Sequence, residues 1–431
     1  MSGDMYVSVD IDGTDYSTRL MASGNDNPVD GIEELLLAME DEDGGGVIGA
    51  ATLNLSDLNG EVTGILNAAQ MGTLKLEAGN LTLYEGILDR PNFNYDKQNR
   101  IVTVKSLGYE AKVLKQLEAI TMDTVLNFKG IYVEIPYAPS AAPWNDYAGR
   151  RFNQAIFLFE EIFKSAGVTC TVNGIPDDVY IGGKVILSVH AGLVDFGPKW
   201  YDLEPLDTCK DYLAELCKLF NATWWMESDT TAIVTTKLAA LQESKTLAAY
   251  EGNIIKGEKR LRLNNNGYDA ITLTSGNSES GPQGNKRTIS RTALNARTLN
   301  VSVKFKLAEL LSRTYLAIAE TEDNPYYVIK ATYDDTTGLY TAERLTNSVN
   351  GEATYFLDTF YNFELQGTHE AEITYSLLQS GTLNATLLRK YFQLGTLDLF
   401  SGDTSEYFAR EVAFDPYNET ATVRAVGYVG L

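Results

Sequence analysis

The segment Val9 to Asp15, VDIDGTD, spaces its carboxylates in a way that could support chemistry. It matches D-x-D-G-T, the opening of the haloacid-dehalogenase-type phosphatases, which would make Asp10 the nucleophile and Asp12 the general acid. That mechanism also needs a downstream lysine and an acidic magnesium pair on a parallel α/β sheet, whereas a second strand pattern follows here. Because Asp12-Gly13 lies between alternating apolar and polar residues, we predict a two-residue β-hairpin turn instead.

A second motif is formed by Gly44, Gly46 and Gly49, which satisfy the dinucleotide-binding pattern G-x-G-x-x-G. The acidic run Glu40 to Asp43 directly precedes these glycines and would repel a pyrophosphate. A strand pattern, rather than the helix that such a loop requires, follows them. We therefore predict a flexible turn and no bound cofactor.

Cysteine and histidine are too scarce for most of the chemistry that they support. Cys209 and Cys217 lie on one face of a predicted helix, without the CxxC pair or nearby histidine of a zinc set. We expect both to be small buried side chains. His190 and His369 are the only histidines, which nearly excludes His-based catalysis. We predict no catalytic residue, no cofactor-binding residue and no metal ligand.

Trp224 and Trp225 could stack on a sugar, as in carbohydrate-active proteins. Adjacent residues of a strand point to opposite faces, so one indole packed on the preceding helix is the favoured interpretation. The chain has 58 acidic residues, so many that no carboxylate pair stands out. The number of carboxylates therefore neither supports nor excludes glycosidase activity.

Length and charge limit the class of protein. A chain of 431 residues with 44% apolar residues can form about two to four folded domains. Its net charge of −23 disfavours wrapping of nucleic acid and binding to anionic membranes, although an acidic wall suits a conduit through which DNA slips. No apolar run approaches the ~20 residues of a membrane span, so we expect no membrane insertion. Three cysteines and no signal-peptide pattern predict synthesis in a reducing cytoplasm.

Secondary-structure patterns divide the chain into three parts. Residues 1–115 alternate as strands and turns, residues 116–250 predict a mixed α/β domain, and residues 251–431 return to strands. The fold class expected is therefore β-rich α+β. In the final part, the sequence pattern also predicts one helix from Lys306 to Glu320 and a mobile polar loop from Ser275 to Arg291.

The middle part contains two predicted helices. The first runs from Phe152 to Ala166 and stops at Gly167. Its apolar face is expected to carry Phe152, Ile156, Phe159 and Phe163. The second begins at an Asp207 or Thr208 cap and is followed by the predicted hairpin NATWWMESDTTAIVTTK.

Two segments of the chain align without a gap. Asn92 to Tyr109 is NFNYDKQNRIVTVKSLGY, and Glu411 to Tyr428 is EVAFDPYNETATVRAVGY. Each predicts a strand, a polar turn and a second strand with apolar alternate residues, which suggests a duplicated β-domain. The matched residues, which we take as the structural repeat and candidate ring-forming set, are Tyr95, Asp96, Asn99, Thr103, Val104, Gly108 and Tyr109 in the first copy and Phe414, Asp415, Asn418, Thr422, Val423, Gly427 and Tyr428 in the second.

These segments give the chain a resemblance to a known family. The stretch LTLYEGILDRPNFNYDKQNRIVTVKSLGY, the middle segment PLDTCKDYLAELCKLFNATWWMESDTTAIVTT and the terminal YFAREVAFDPYNETATVRAVGY resemble the tail hub proteins of bacteriophages and phage-like contractile injection particles. The likeness covers Leu74 to Lys115, Leu206 to Thr236 and Asp403 to Leu431.

The resemblance implies a structural protein without enzymatic activity. The expected architecture is two tube-like β-barrel or sandwich domains, in residues 1–115 and 251–431, that flank the mixed middle domain. The expected assembly is a homotrimer with near-sixfold symmetry, located in the virion tail or baseplate and assembled in the host bacterial cytoplasm.

The same resemblance implies the partners. A tail tube or distal tail protein would lie above the ring and a spike, tip or fibre protein below it, and a tape-measure protein is a further possible partner. Genomic DNA would only pass through the enclosed ejection channel. Two alternatives remain: an acidic enzyme, either the phosphatase or a carbohydrate-active protein, and a host-binding adhesin, since 25 tyrosines suit sugar or protein surfaces.

Overall fold

The fold is defined by a computed structural model of the chain. The residues that it describes are 7–21, 31–40, 46–67, 72–78, 81–121, 132–134, 151–177, 179–182, 185–186, 189–190, 193–194, 199–200, 208–236, 239, 245–246, 260–264, 270–275, 286–290, 298–303, 306–307, 327–334, 339–343, 368–376, 378–379, 382–383, 397–398, 406–415 and 420–428.

The N-terminal part is a set of strands with two helices. Its elements are β1 (Val7–Ile11), β2 (Thr14–Asp15), β3 (Ile32–Glu40), β4 (Val47–Ser56), α1 (Glu61–Asn67), β5 (Thr73–Ala78), β6 (Leu81–Leu88), β7 (Asn94–Asp96), β8 (Ile101–Gly108) and α2 (Tyr109–Glu118). The strands are hydrogen-bonded in the order β2-β1-β5-β6-β8-β4-β3, with β7 paired to β8. Alternate residues of these strands fill the core, as Val7, Val9 and Ile11 do in β1.

The predicted Asp12-Gly13 hairpin is confirmed. Ile11 pairs with Thr14 across the turn, and Asp12 and Gly13 both have positive φ, 53° and 79°. Positive φ at both central residues is what a two-residue hairpin turn of this kind requires. Helix α2 was not predicted, and neither was α1. Helix α1 begins where Asp57 accepts a 2.9 Å hydrogen bond from the backbone N–H of Val62.

The middle part combines helices with small sheets. Its elements are β9 (Tyr132–Glu134), β10 (Arg151–Gln154), α3 (Ala155–Ser165), β11 (Thr169–Asn173), β12 (Val179–Gly182), β13 (Val185–Ile186), β14 (Val189–His190), β15 (Leu193–Val194), β16 (Lys199–Trp200), α4 (Cys209–Phe220), β17 (Ala222–Ser228) and β18 (Thr231–Thr236). Helices α2, α3 and α4 share one apolar core with the sheet β11-β18-β17. Within it, the Phe163 and Trp224 rings meet edge to face at 5.1 Å.

Both middle-part helices were predicted, with one correction. Phe159 and Phe163 are buried as expected, and Gly167 follows the helix with a φ of 75°. However, α3 begins at Ala155 because Phe152 lies in β10, which pairs with β9 and β12. Thr208 is the cap of α4, where its side chain accepts the Asp211 N–H at 3.2 Å. The predicted hairpin follows as β17 and β18.

The C-terminal part is again made of strands. They are β19 (Lys245–Thr246), β20 (Arg260–Asn264), β21 (Ala270–Ser275), β22 (Lys286–Ser290), β23 (Thr298–Val303), β24 (Lys306–Leu307), β25 (Tyr327–Asp334), β26 (Leu339–Glu343), β27 (Thr368–Ser376), β28 (Leu378–Gln379), β29 (Thr382–Leu383), β30 (Leu397–Asp398), β31 (Glu406–Asp415) and β32 (Thr420–Tyr428). The sheet of the N-terminal part continues through them in the order β3-β31-β32-β27-β20.

Two predictions in this part need correction. Lys306 and Leu307, expected to begin a helix, form strand β24 because they pair in parallel with Tyr327 and Val328 of β25. The rest of that predicted helix lies outside the described residues. Within the predicted loop, Lys286–Ser290 is strand β22, paired with β21, and residues 276–285 lie outside the described residues.

The secondary-structure content confirms the β-rich fold class. The described residues are rich in strands, with large antiparallel sheets and few helices. No helix among the residues that the structure describes is both long and apolar enough to cross a membrane. The domain limits 1–115, 116–250 and 251–431 stay predictions.

Candidate assembly interface

The first repeat segment forms an antiparallel hairpin, β7–β8, which we call the N-terminal hairpin. Asp96 pairs with Ile101 and Tyr95 pairs with Val102. Asp96 therefore closes the turn, five residues before its partner strand residue. Val102 is fully buried and Tyr95 is half-buried.

Hydrogen bonds to Asp96 fix that turn. Its carboxylate accepts the backbone N–H of Asn99 at 3.2 Å, the Asn99 side-chain amide at 2.8 Å and the backbone N–H of Gln98 at 2.9 Å. The Asn99 bonds, followed by that of Gln98, hold the pKa of Asp96 below its usual range because they favour the charged carboxylate. Asp96 and Asn99 thus have a turn-forming role that local chemistry explains.

The second repeat segment forms another antiparallel hairpin, β31–β32, which we call the C-terminal hairpin. Asp415 pairs with Thr420 and Phe414 pairs with Ala421. The spacing from aspartate to partner residue is the same as in the N-terminal hairpin. Asn418 lies outside the described residues. Thr422, Val423, Gly427 and Tyr428 lie in β32, opposite Thr374, Ile373, His369 and Thr368 of β27.

The next strand also occupies equivalent positions in the two sheets. Counted from the shared aspartate, β4 and β27 meet the hairpins at the same residues: Leu53 pairs with Val104, and Ile373 pairs with Val423. Both strands run antiparallel to the hairpin strand that they join. Each hairpin therefore has an equivalent neighbouring strand as well as an equivalent turn.

The outer strands agree as well. Leu35 of β3 pairs with Ala51 of β4, and Leu261 of β20 pairs with Ala371 of β27. Ala51 and Ala371 are themselves equivalent when counted from the aspartates. The four-strand order β7-β8-β4-β3 is thus repeated as β31-β32-β27-β20, with the same directions and register.

A fifth strand extends the correspondence on the far side of each hairpin. Leu74 of β5 pairs with Gly86 of β6, and Leu397 of β30 pairs with Tyr407 of β31. Gly86 pairs in turn with Gly108, and Tyr407 with Gly427. The equivalent strands also follow one another in the same order along the chain, β3-β4-β5-β6/β7-β8 and β20-β27-β30-β31-β32.

The two copies differ where the first strand of each hairpin is interrupted. In the N-terminal copy a single turn of 3-10 helix, Arg90–Asn92, separates β6 from β7. In the C-terminal copy β31 is continuous but carries a register shift between Ala409 and Glu411. The 3-10 turn and the register shift fall at corresponding positions in the two copies. The first strand of each hairpin therefore bends at the same point, and the interruption is longer in the N-terminal copy.

The two sheets are joined edge to edge within the chain. The outer strand β3 of the first pairs antiparallel with β31 of the second, with Leu36 opposite Ala413 and Met39 opposite Glu411. This contact is heterologous, because it joins one edge of the first unit to the opposite edge of the second. We call it the β3–β31 junction.

One face of the first sheet is polar. Thr103 donates a 2.8 Å hydrogen bond to Asn54, whose side-chain amide donates a 2.8 Å bond to Glu33. Val102 and Val104 lie on the opposite face, in the core. The strand therefore has the one-sided burial that its alternation predicted.

Charged residues at matching positions lie on the exposed side of both hairpins. Lys105 is exposed, and so is its equivalent Arg424, whose Nη1 donates to both carboxylate oxygens of Glu411, at 2.9 and 3.0 Å. Glu411 lies directly opposite Arg424 across the hairpin. Thr422, equivalent to Thr103, is likewise half-buried.

Gly108 and Tyr109 connect the N-terminal hairpin to the middle part. A Cβ at Gly108 would lie 3.1 Å from the backbone nitrogen of Gly49, so the close approach of β8 and β4 favours glycine. Tyr109 begins α2, and its hydroxyl donates a 2.9 Å hydrogen bond to Glu85. Burial, followed by that carboxylate, raises the pKa of Tyr109.

The carboxylates of the phosphatase-like motif accept hydrogen bonds from backbone N–H groups. Asp10 accepts a 2.8 Å hydrogen bond from the Gly13 N–H, and Asp12 accepts one of 2.7 Å from the Thr73 N–H. Strand β1 is followed by a strand, so this segment lacks the strand-to-helix step of the phosphatase fold. Gly46 forms a bridge to Trp224, whose indole carbon would lie 3.0 Å from an added Cβ.

The aromatic and sulfur side chains are enclosed. Trp224 and Trp225 are 0% and 1% exposed, so neither offers a stacking surface to a sugar. Cys209 and Cys217 are buried as predicted, and burial raises the pKa of the Cys217 thiol. Among the residues that the structure describes, no group of His, Cys, Asp and Glu is arranged to hold a metal ion.

No protein-family model and no curated protein matches the sequence. Solved structures that the chain resembles are tail proteins and a VgrG complex. The 43 kDa tail protein of prophage MuSo2 from Shewanella oneidensis has 12% identity and a TM-score of 0.46, over 97% of each chain. The tail protein from Neisseria meningitidis MC58 has 11% identity and a TM-score of 0.46, over 99% of this chain and 96% of that chain. The half-lidded Francisella PdpA-VgrG complex has 11% identity and a TM-score of 0.41, over 99% of this chain and 58% of that chain.

Proposed function

We propose that the chain is a structural tail or baseplate hub protein of a phage or phage-like particle. It forms a trimeric ring that adapts a hexameric tail tube to a threefold spike or tail tip. The observation that carries this proposal is the pair of equivalent strand sets, β3 to β8 and β20 to β32, with the same order, direction and register. They form two tube-like β-domains, in residues 1–115 and 251–431, that flank the middle domain of residues 116–250.

Two equivalent domains in one chain allow a trimer to match a sixfold ring. A sixfold ring and a threefold object fit smoothly only where the threefold object offers six similar docking surfaces. Two equivalent β-domains per chain give a trimer six such units, alternating around one axis. The two hairpins, with Asp96 and Asp415 in corresponding turns, are the matched parts of those units.

The charge of the chain fits a conduit. At −23, three copies would enclose a channel through which genomic DNA passes without binding, because binding to phosphate needs lysine and arginine. The polar face that carries Thr103 and Glu33 is the proposed inner surface. The chain then acts in the virion without an enzymatic step.

The proposed partners follow from position in the tail. A tail tube or distal tail protein docks on the six-unit face, and a spike, tip or fibre protein docks below. A tape-measure protein is a further partner in the lumen. No part of the proposal requires membrane insertion.

The test is to determine the mass and projected shape of the purified chain, alone and mixed with the tail tube protein of the same particle. We expect a trimer whose end-on views in electron microscopy show six similar lobes around a channel. A monomer that also fails to bind the tube protein would overturn the proposal. A monomer that closes into a trimer on the tube end would support it.

A further inference from the structure

The β3–β31 junction shows how one edge of a repeat unit recognises the opposite edge of another. In each chain one edge of each kind remains. Among the described residues, β20, the equivalent of β3, pairs only with β27, and β7, the equivalent of the junction part of β31, pairs only with β8. A strand edge with open N–H and C=O groups is a template for another strand.

The equivalences set the register that a second copy would adopt. Leu36 and Arg262 hold the same position, because they pair with the equivalent residues Ala50 and Glu370. Ala413 and Asn94 hold the same position two residues before the hairpin aspartates. Leu36 pairs with Ala413 inside the chain, so the same contact between chains would place Arg262 opposite Asn94.

We propose that β20 of one copy pairs antiparallel with β7 of the next copy, with Arg262 opposite Asn94 and Arg260 opposite Asp96. This inference rests on the proposed function, for which it names the contact that closes the ring. Repetition of one heterologous contact, alternately within and between chains, gives a closed ring of six units when the rotation between successive units closes.

Charge favours this partner. Inside the chain, Leu36 and Ala413 are the last pair at this end of the β3–β31 ladder. Two residues further on, continued pairing would bring the carboxylates of Glu34 and Asp415 together. Between chains, the same two positions belong to Arg260 and Asp96, which are oppositely charged. Asp96 can accept a further donor, because an ionised carboxylate has about four lone-pair sites. Opposite charges directly across an antiparallel pair stabilise it, and like charges destabilise it.

A disulfide experiment tests the register. In a Cys170→Ser background, Asn94→Cys and Arg262→Cys are combined, and the chain is oxidised at high concentration. Cys209 and Cys217 are buried and stay in place. We expect covalent dimers and closed trimers on a non-reducing gel. Each single variant, and the off-register pair Asn94→Cys with Arg260→Cys, should give at least tenfold less product.

Charge reversal tests the recognition. Arg260→Glu should weaken association about tenfold, because it would place a carboxylate opposite Asp96, whereas Arg260→Lys keeps the positive charge and should not. Lys115→Glu, an exposed change of the same sign in α2, is the matched control and should have no such effect.

The outcomes separate the inference from the proposed function. A trimer that yields no 94–262 product, or equal product from the off-register pair, overturns the strand pairing and leaves the hub function standing. If the free chain is monomeric, the same oxidation on the tail tube end decides between these results. Failure of the chain to bind the tube protein is evidence against the hub function itself.

Discussion

Glu110 accepts, through Oε1, a 3.0 Å hydrogen bond from the backbone N–H of Met226. Glu110 is 0% exposed and stands in the first turn of α2, directly after the N-terminal hairpin. Met226 lies in β17, inside the core of the middle part. The bond therefore connects the repeat unit to the middle part through a buried carboxylate.

Removal of this carboxylate should destabilise the chain. Glu110→Ala leaves a buried N–H without its acceptor, and we expect the free energy of unfolding to fall by about 1–3 kcal/mol. Urea unfolding measures the change. Glu118→Ala, at the exposed end of the same helix, is the control and should change stability by less than about 0.5 kcal/mol. Equal losses in the two variants would contradict a special role for Glu110.

Gly86 and Gly64 should respond in opposite directions to the same substitution. A Cβ at Gly86 would collide with the backbone carbonyl of Leu107 and the hydroxyl of Tyr84, so Gly86→Ala should lower the melting temperature. Nothing lies within 4 Å of a Cβ at Gly64, inside α1, so Gly64→Ala should stabilise by roughly 0.5–1 kcal/mol. Differential scanning calorimetry of both variants tests the pair. A stabilised Gly86→Ala variant would show that the strands can separate without cost.

Asp10→Asn should leave the fold intact, because the amide oxygen can still accept the Gly13 N–H. The expected stability change is below about 0.5 kcal/mol. Neither the wild type nor the variant should hydrolyse a generic phosphatase substrate in magnesium. Turnover by the wild type that disappears in Asp10→Asn would favour a phosphatase over the proposed hub function.

The turn of the N-terminal hairpin should contribute to the acid sensitivity of the chain. Because the pKa of Asp96 is lowered below its ordinary 3.8, its stabilising effect is complete above that pH and is lost as the pH falls through the folded-state value. Between about pH 5 and about pH 3, Asp96→Asn should therefore lose less stability than the wild type. Asn99→Ala, which keeps the backbone donors, should fall between the two. Urea midpoints across this range provide the measurement.

The purified chain should not retain duplex DNA at physiological salt. With a net charge of −23, the long-range field of the chain repels phosphate. Gel-shift titration with a basic DNA-binding protein as the positive control gives the answer. Tight binding that weakens steeply with salt would count heavily against a conduit.

Features that depend on neighbouring residues were accessible from the sequence. The Asp12-Gly13 turn and the Thr208 cap are decided by φ preferences and by one local hydrogen bond. The helix-to-hairpin step through Trp224 was also predicted, because its apolar period changes from helical to alternating. Helix α1 was missed since Gly64 weakens its pattern and its cap, Asp57, stands several residues before the helix.

Long-range pairing was not accessible. Phe152 fits a helical face, yet its strand partners lie elsewhere in the chain, and Lys306 is drawn into a strand by Tyr327. The repeat was visible only in the hairpins. In the other equivalent strands register is kept by backbone hydrogen bonds, which place little constraint on side chains, so matches such as Ala51 with Ala371 are too sparse to detect.

The β3–β31 junction also has a consequence for the timing of synthesis. Strand β3 is synthesised long before its partner β31, so β3 must wait on the order of tens of seconds with an open edge. Such an edge invites pairing with other nascent chains. The two register shifts in β3, between Ile32 and Glu34 and between Leu36 and Met39, make it a poor template for a regular strand. The irregular shape of β3 therefore protects the unfinished chain until β31 has been synthesised.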